Sequence, residues 1–298
     1  MEFRIGEMAA LFAAICWTVS AVAFEAAGRK VGSVVVNFIR LVMAFILLGS
    51  FALLRGEPML PTDADTFHWK WLLLSGVVGF VIGDFFLFKA FTIIGSRLSM
   101  LIMTLVPPIA AFSGWVFLGE KLTWIYLLGM TITMAGIALV IFFRREKNGQ
   151  QTAGKIPLRG ILFAIGGAVG QALGLVLSKH GMGDLDPFAA TQIRVIAGIA
   201  GFFVITLLLS KTQLVVSTLT QSKPMALMLL GATFGPFLGV TASLMAVQHT
   251  ATGIASTLMA LSPILIIIPT RIFFKQSVSW KELIGAAISV LGVTLFFL

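Results

Sequence analysis

Charged residues are scarce in this chain of 298 residues, at 11% of the sequence, where a typical soluble domain carries about 25%. Hydrophobic residues make up 58%, and the mean hydropathy is +1.03. So few charges could not cover the surface of a soluble protein of this length, so we predict an integral membrane protein. Its apolar runs are continuous, whereas β-barrel strands alternate in ~10-residue segments. We therefore expect an all-α protein.

Cysteine, histidine and the common catalytic motifs are also scarce. The single cysteine, Cys16, cannot form an intramolecular disulfide. The three histidines stand apart without the spacing of metal ligands, and neither G-x-x-x-x-G-K-[ST] nor G-x-S-x-G occurs. We therefore expect no metal, no cofactor and no nucleotide hydrolysis, and the sequence gives little support to an intramembrane enzyme.

Positive charge is in excess, with a formal net charge of +9 and a pI near 10.1. Nucleic-acid-binding proteins share these values, but a membrane protein reaches them by keeping loop lysines and arginines on the cytoplasmic side. We expect no nucleic acid. Residues Met1–Glu7 contain Glu2, Arg4 and Glu7 and so lack the positive segment of a signal peptide, which predicts that the first apolar run is retained.

Apolar stretches of about 20 residues, the length that crosses a bilayer, recur along the chain. We predict ten transmembrane helices, at residues 7–26, 33–54, 71–91, 97–118, 122–143, 159–178, 187–209, 224–246, 252–274 and 279–298. The polar break at 144–158 divides them five and five. We therefore predict one five-helix repeat at 1–143, a linker at 144–158 and a second repeat at 159–298.

The two halves resemble each other when the sequence is shifted by 156 residues. The matched pairs are Pro107 with Pro263, Trp124 with Trp280, Gly129 with Gly285, Gly136 with Gly292, Gly79 with Gly235, and Gly83 with Gly239. Upstream, a slightly different shift pairs Arg40 with Arg194. Because five spans carry the chain across the membrane, the second half must insert upside down. Inverted-topology repeats of this kind are typical of secondary transporters, whose sites lie at the repeat interface near the midplane.

Pro107 and Pro263 fall at equivalent positions of the fourth and ninth spans. A proline within a helix leaves the carbonyl four residues earlier unpaired, which would free the carbonyls of Met103, Thr104 and Met259. In a membrane such groups must meet protein or a water-filled cavity. Paired breaks therefore predict a substrate cavity between the halves. The alternative is a packing kink that a neighbouring threonine or serine closes.

This pattern resembles the EamA family of the drug/metabolite transporter superfamily. The resemblance is carried by Arg40 and Arg194, by the segment VPPIAAFSGWVFLGEKLT with its degenerate partner SPILIIIPTRIFFKQSVS, and by the glycine-spaced fifth and tenth spans. In the second half, Gln276-Ser277 replaces Glu120-Lys121. The resemblance implies an exporter or exchanger of amino acids, other small metabolites or drugs that works by alternating access.

Ionisable residues within spans give the sharpest functional signal, because each costs ~2.5–3.5 kcal/mol at the membrane centre. Arg40, Asp84 and Arg194 are such residues. At about 1.5 Å per residue, Arg40 and Asp84 lie at the same depth, so they could pair. Arg40 is either structural or part of the substrate site. Asp84 is either the charge partner of Arg40 or Lys89, or a site for a coupling proton or a substrate amine.

Neutral polar residues within the spans could line the same cavity, and hydrogen bonding between helices is the alternative role for each. The predicted substrate-binding or cavity residues are Trp17, Ser20, Asn37, Arg40, Asp84, Thr104, Pro107, Gln171, Gln192, Arg194, Ser243, Ser262 and Pro263. Asp84 is the candidate for proton coupling.

We therefore expect a multi-pass secondary transporter of small organic solutes in the cell inner membrane. Its expected partners are a small-molecule substrate, the lipid bilayer and a proton as candidate coupling ion, and its oligomeric state stays open. Most lysines and arginines outside the spans lie on the side opposite the termini, which predicts that both termini face outward. A passive channel is the alternative.

Overall fold

The computed structural model describes residues 4–147, 157–265 and 279–297, and none of these forms a β-strand. The helices are α1 (Ile5–Val31), α2 (Ser33–Leu54), α3 (Thr66–Gly76), α4 (Asp84–Met103), α5 (Val106–Leu118), α6 (Trp124–Lys147), α7 (Leu158–Met182), α8 (Pro187–Leu208), α9 (Thr212–Leu219), α10 (Ser222–Ala232), α11 (Leu238–His249), α12 (Thr252–Met259), α13 (Ser262–Leu265) and α14 (Trp280–Thr294). The π-helical segments Val77–Gly83 and Thr233–Phe237 join α3 to α4 and α10 to α11, and the 3-10 turn Leu295–Phe297 follows α14.

Six helical segments are long and apolar enough to cross a membrane. They are Ile5–Gly28, Ser33–Leu54, Thr66–Ala90, Leu158–Met182, Pro187–Leu208 and Ser222–His249. The shorter apolar helices are Val106–Leu118, Trp124–Val140 and Leu283–Phe297. The all-α, multi-pass membrane class is thus confirmed. The count of ten stays a prediction, because the ninth span extends to residue 274, beyond the described residues.

Polar side chains fix where two of the span helices begin. The Asp65 side chain accepts a hydrogen bond from the His68 N–H (2.9 Å) at the start of α3. Asp186 accepts from the N–H groups of Phe188 (3.0 Å) and Ala189 (3.2 Å) at the start of α8. A carboxylate at this position satisfies donors that have no partner within the helix, so both helices begin at the acidic residue.

The third and fourth spans are not separated by the loop that we predicted at residues 92–96, because α4 continues as a helix to Met103. The second half does break at the equivalent place, between α11 and α12. There Glu120 accepts from the Thr252 N–H (2.9 Å) and Lys179 donates to the Thr250 carbonyl (2.7 Å). Those side chains satisfy the backbone groups that the break exposes.

The pairing of α6 with α14 relates the two halves by a local two-fold axis. Thr133 Oγ1 donates to the Ser289 carbonyl (3.4 Å) and Ser289 Oγ donates to the Thr133 carbonyl (3.2 Å), and these two residues are 156 apart. A Cβ added at Gly129 would lie 2.9 Å from the Gly292 carbonyl oxygen, and one at Gly136 would lie 2.6 Å from that of Gly285. Residue numbers rise along α6 as they fall along α14. The two helices therefore run antiparallel, as inverted repeats require.

The other helices also pack in pairs that the two-fold relation between the halves explains. α1 packs against α10 and α11, as α7 packs against α3 and α4. α2 packs against α8, its counterpart in the second half. The interface between the halves is therefore built from equivalent helices on both sides.

Replacing Gly136 with valine is expected to lower the free energy of unfolding by about 3 kcal/mol, as overpacking of a close interface does. A Cβ at this position would lie 2.3 Å from Ser289 Oγ and 2.5 Å from the Ser289 backbone nitrogen. Thermal unfolding of the detergent-purified chain measures the change. Gly28→Val is the matched control, since a Cβ at Gly28 meets nothing within 4 Å. Equal losses of unfolding free energy in the two variants would contradict a tight α6–α14 contact.

Candidate functional site

The fourth and ninth spans are each interrupted at the same repeat position, but their prolines begin helices instead of kinking them. α4 ends at Met103, and Pro107 and Pro108 lie in the first turn of α5. A first-turn N–H has no acceptor within the helix, so proline loses nothing there. In the second half, α12 ends at Met259 and α13 begins at Ser262. Both spans are therefore interrupted at the prolines, as we predicted, whereas the cavity beside the breaks stays a prediction.

Serine and threonine side chains close the break in the ninth span. Ser262 Oγ donates to the carbonyls of Met259 (3.1 Å) and Ala14 (3.0 Å), and Thr18 Oγ1 lies 3.3 Å from the Ser262 carbonyl oxygen. A neighbouring serine therefore satisfies the Met259 carbonyl, which is the alternative that we stated for this break. The side chain of Pro263 lies outside the described part of the chain.

The two interrupted spans meet at the interface between the halves. All eight residues of α12 are buried. Thr252 Oγ1 lies 3.2 Å from the Ala110 carbonyl oxygen of α5, and a Cβ added at Gly253 would lie 2.6 Å from Ala111 Cβ. The helix that follows the break in the fourth span therefore packs against the helix that precedes the break in the ninth.

A cavity of about 720 Å³ lies beside α5, with Thr104 and Pro108 in its wall and Glu120 among its polar groups. Its lining residues all belong to the first half, and Phe112 and Trp115 are 63% and 60% exposed. It therefore opens between α5 and α6 and is not the cavity that we predicted between the halves. Thr104 is the one predicted site residue in its wall.

Trp17 packs against the eighth span, across the interface between the halves, and its place beside a substrate cavity stays a prediction. A Cβ added at Gly239 would lie 2.7 Å from Trp17 Cδ1.

Asp84 forms the ion pair with Arg40 that the depth count predicted. Arg40 Nη2 donates to Asp84 Oδ2, and Gln171 Nε2 donates to Asp84 Oδ1 at 2.7 Å. The carboxylate residue is 8% exposed. Its pairing with Arg40 is confirmed, whereas the Lys89 Nζ lies over the Phe85 ring, 5.7 Å from the centroid.

Gln171 reaches Asp84 because glycines let α7 pack closely against the segment before Asp84. A Cβ added at Gly170 would lie 2.7 Å from Gly83 Cα, and one at Gly174 would lie 2.7 Å from Gly79 Cα. α7 can approach the π-helical segment Val77–Gly83 this closely only where side chains are missing from both. Short π-helical segments often occur at functional sites, and this one ends directly before Asp84.

Arg194 is buried beside the ion pair but has no anionic partner within hydrogen-bonding distance. It is 5% exposed, its guanidinium carbon lies 4.9 Å from the Phe80 ring centroid, and its Nε is buried without a hydrogen-bond partner. It interacts electrostatically with Asp84, yet neither a salt bridge nor a hydrogen bond of its side chain is found among the described residues. Its repeat counterpart Arg40 also lies over a ring, 5.2 Å from the centroid of Phe24.

The remaining predicted residues donate hydrogen bonds to backbone carbonyls. Ser20 Oγ donates to the Trp17 carbonyl (3.1 Å), Ser243 Oγ to the Val240 carbonyl (2.7 Å), Asn37 Nδ2 to the Ser33 carbonyl (3.0 Å), and Gln192 Nε2 to the Met59 carbonyl. Asn37 Oδ1 is buried without a partner. Only the Gln192 bond joins two segments, as the alternative role requires, whereas Ser20, Asn37 and Ser243 bond within their own helices. The place of all four residues in a substrate site stays a prediction.

The sequence did not reveal a second ion pair, between Glu120 and Lys179. Lys179 Nζ lies 2.6 Å from Glu120 Oε1, and Glu120 Oε2 accepts from Thr252 Oγ1 (2.6 Å) and from the Thr252 N–H (2.9 Å). This contact, with the Lys179–Thr250 hydrogen bond, joins the end of α5 to α7, α11 and α12. We call it the Glu120 latch. The replacement of Glu120 by Gln276 in the second half was the one signal of it in the sequence.

Comparison with known proteins agrees with this architecture. Residues 4–142 and 158–298 both match the sequence model of the EamA-like transporter family. The threonine/homoserine exporter RhtA of Salmonella typhimurium strain SL1344 is 30% identical over 152 residues, or 49% of this chain and 48% of the exporter. RhtA of strain LT2 matches to the same extent. The chain thus spans about half the length of the curated relatives that it matches.

One solved crystal structure has 17% sequence identity and a TM-score of 0.76, covering 98% of this chain and 95% of the other. At that identity the likeness concerns the fold alone. The family match covers both halves of the sequence and agrees with the two-fold packing of α6 on α14. The chain therefore belongs to the EamA-like transporter family.

Proposed function

We propose that this chain exports or exchanges small organic solutes, with amino acids such as threonine and homoserine as the first candidates. The observation that carries the proposal is a buried charged cluster to which both halves contribute. Arg40 and Asp84 come from the first half, and Gln171 and Arg194 come from the second. Family membership and the name of the relative RhtA support the same class of solute.

We propose that the protein works by alternating access, which the sharing of this cluster between the halves supports. If one half rocks against the other, the distance from Arg40 and Asp84 to Gln171 and Arg194 changes, and access to the cluster changes with it. Sites at a repeat interface work in this way in secondary transporters. The Glu120 latch crosses the same interface, because Glu120 belongs to the first half and its two partners, Lys179 and Thr252, belong to the second.

Uptake by proteoliposomes that contain the purified full chain tests this proposal. The panel is L-threonine, L-homoserine, the other common amino acids and a set of small metabolites, each with and without a pH gradient. We expect saturable uptake of at least one amino acid. Uptake that stays linear with concentration would indicate a passive channel, and no uptake of any solute would overturn the proposal.

Replacing Glu120 with glutamine is expected to loosen the side of the bundle that carries the termini. The variant keeps an acceptor for Thr252 but loses the charge that pairs with Lys179, an interaction of about 1 kcal/mol at partial exposure. We expect a cysteine at Ala251, in a Cys16→Ser background, to react roughly fivefold faster with an impermeant thiol reagent.

The matched control is Glu57→Gln, whose ion pair with Arg55 is exposed, with side chains 45% and 38% accessible. It should leave the labelling rate at Ala251 unchanged. Equal rates in the Glu120 and Glu57 variants would contradict a latch.

We further propose that the protein lies in the cell inner membrane with both termini outside and the 144–158 linker in the cytoplasm, as the distribution of lysine and arginine indicates. Single cysteines at Lys147 and at Leu298 test this orientation. From outside intact cells, an impermeant thiol reagent should label position 298 and spare position 147. Labelling of position 147 alone would show the opposite orientation.

A further inference from the structure

The buried cluster at the interface carries one positive charge more than its described anions balance. Asp84 is the one carboxylate among the described residues that is buried with it, and both of its oxygens are already engaged. Oδ2 is bound by Arg40 and Oδ1 by Gln171. Arg194 therefore lies near the one buried anion among the described residues without a hydrogen bond to it.

A charge buried in this way destabilises a protein unless a counter-charge and hydrogen bonds accompany it. Arg194 has a ring on one side, since its guanidinium carbon lies 4.9 Å from the Phe80 centroid. Its Nε is buried and unpaired. A side chain that only tied helices together would be expected to end on backbone carbonyls, as Gln192 does at Met59. Arg194 makes no such contact among the described residues.

The surroundings of Arg194 leave room for its planar end. A Cβ added at Gly79 would lie 3.3 Å from Arg194 Nη2, so glycine keeps this position of the π-helical segment clear of the guanidinium. The guanidinium presents paired N–H donors that match the two oxygens of a carboxylate. One carboxylate balances the one excess positive charge, whereas a phosphate group would carry about two negative charges.

We propose that Arg194 binds the carboxylate of the transported solute, which places amino acids and other monocarboxylates in the substrate class of this protein. This inference rests on the proposed function and names the group that the shared site recognises. Because Arg194 is 5% exposed, the solute reaches it when the halves move apart. The Arg40–Asp84 pair stays intact and holds the neighbouring helices in place.

Thermal unfolding of the detergent-purified full chain tests the assignment with two probes. L-threonine carries a carboxylate, and L-threoninol retains the ammonium group but has a hydroxymethyl group in place of the carboxylate. We expect the melting temperature to rise with L-threonine concentration and not with L-threoninol. Inorganic phosphate serves as a third probe and separates carboxylate recognition from general anion or lipid-phosphate binding.

Two variants locate the binding group. Arg194→Gln should raise the melting temperature of the unliganded protein, because it removes an uncompensated charge, and should abolish the response to L-threonine. Arg194→Lys keeps the charge but loses the planar fork, so at least about tenfold more L-threonine should be needed for the same shift. Arg40→Gln is the matched control, because it leaves Asp84 unpaired and should lower the unliganded melting temperature.

Four results would overturn the assignment. They are a wild-type response to L-threoninol equal to that to L-threonine, a response to phosphate alone, no response to any amino acid in the uptake panel, and an Arg194→Gln variant that melts lower and still responds. The uptake experiment distinguishes a failure of this site from a failure of the proposed function. Transport of a solute that has no carboxylate would retain the proposed function without this site, whereas L-threonine binding at Arg194 without uptake would retain the site without the function.

Discussion

Replacing Arg40 with glutamine is expected to lower the free energy of unfolding by about 3–5 kcal/mol, because removing one partner of a buried ion pair leaves the other charge uncompensated. Asp84 is 8% exposed and would keep only the hydrogen bond from Gln171, at 2.7 Å. Thermal and denaturant unfolding of the full chain in detergent measure the loss.

A double variant and an exposed pair serve as controls for Arg40→Gln. Adding Asp84→Asn removes the stranded charge, so the double variant should regain most of the lost stability. Arg55→Gln breaks exposed contacts with Glu57 (3.0 Å) and Asp186 (3.2 Å), and a change within about 1 kcal/mol is expected. If the double variant were no more stable than Arg40→Gln, the pair would not be the source of the effect.

Replacing Asp84 with asparagine is expected to abolish pH-driven uptake while leaving substrate exchange largely intact. Asp84 is the one buried carboxylate among the described residues, and its repeat counterpart is Val240. Asparagine keeps the size and an acceptor for Arg40 or Gln171 but cannot take up and release a proton. Proteoliposomes measure both activities, and uptake under a pH gradient should fall to the level of empty liposomes.

The control for Asp84→Asn is Asp63→Asn, an exposed residue between α2 and α3 that should leave both activities unchanged. Undiminished pH-driven uptake by the Asp84 variant would reduce this carboxylate to a structural role.

The sequence predicted that the two halves are repeats, because the close contact of their backbones requires glycine at equivalent positions. Gly129, Gly136, Gly285 and Gly292 recur at one shift, and each lies where α6 and α14 meet. The Arg40–Asp84 pair was predictable for a different reason. Helical rise converts residue number into depth, and a buried charge at a given depth needs a partner at the same depth.

The breaks at the prolines were predicted, but the position of the prolines in the first turn of the following helix was not, because a local rule does not show where a helix begins. A proline in the middle of an apolar run reads as a kink, but the same residue in a first turn costs nothing. Pro107 takes that position because the chain turns at residues 104–105. The turn itself has no clear signal in the apolar sequence that surrounds it.

The Glu120 latch and the unbroken α4 could not be predicted from local sequence either. Glu120 and Lys179 are 59 residues apart, and the backbone groups that they satisfy belong to a third segment, around Thr250 and Thr252. Whether a chain breaks at such a place depends on partners that only the packed structure supplies. The π-helical segment Val77–Gly83 lies in the same way against a distant part of the sequence, since α7 contacts it at the glycines at positions 79 and 83.

Counterflow in proteoliposomes tests the central claim most directly. Vesicles that contain the purified full chain are loaded with unlabelled L-threonine and diluted into a trace of labelled L-threonine, and then the experiment is repeated for each amino acid in the panel. The account predicts a transient accumulation of label above equilibrium that saturates with internal substrate and disappears in the Arg194→Gln variant. Label that only equilibrates, at a rate independent of internal substrate, for every amino acid would contradict a carrier that alternates between two sides.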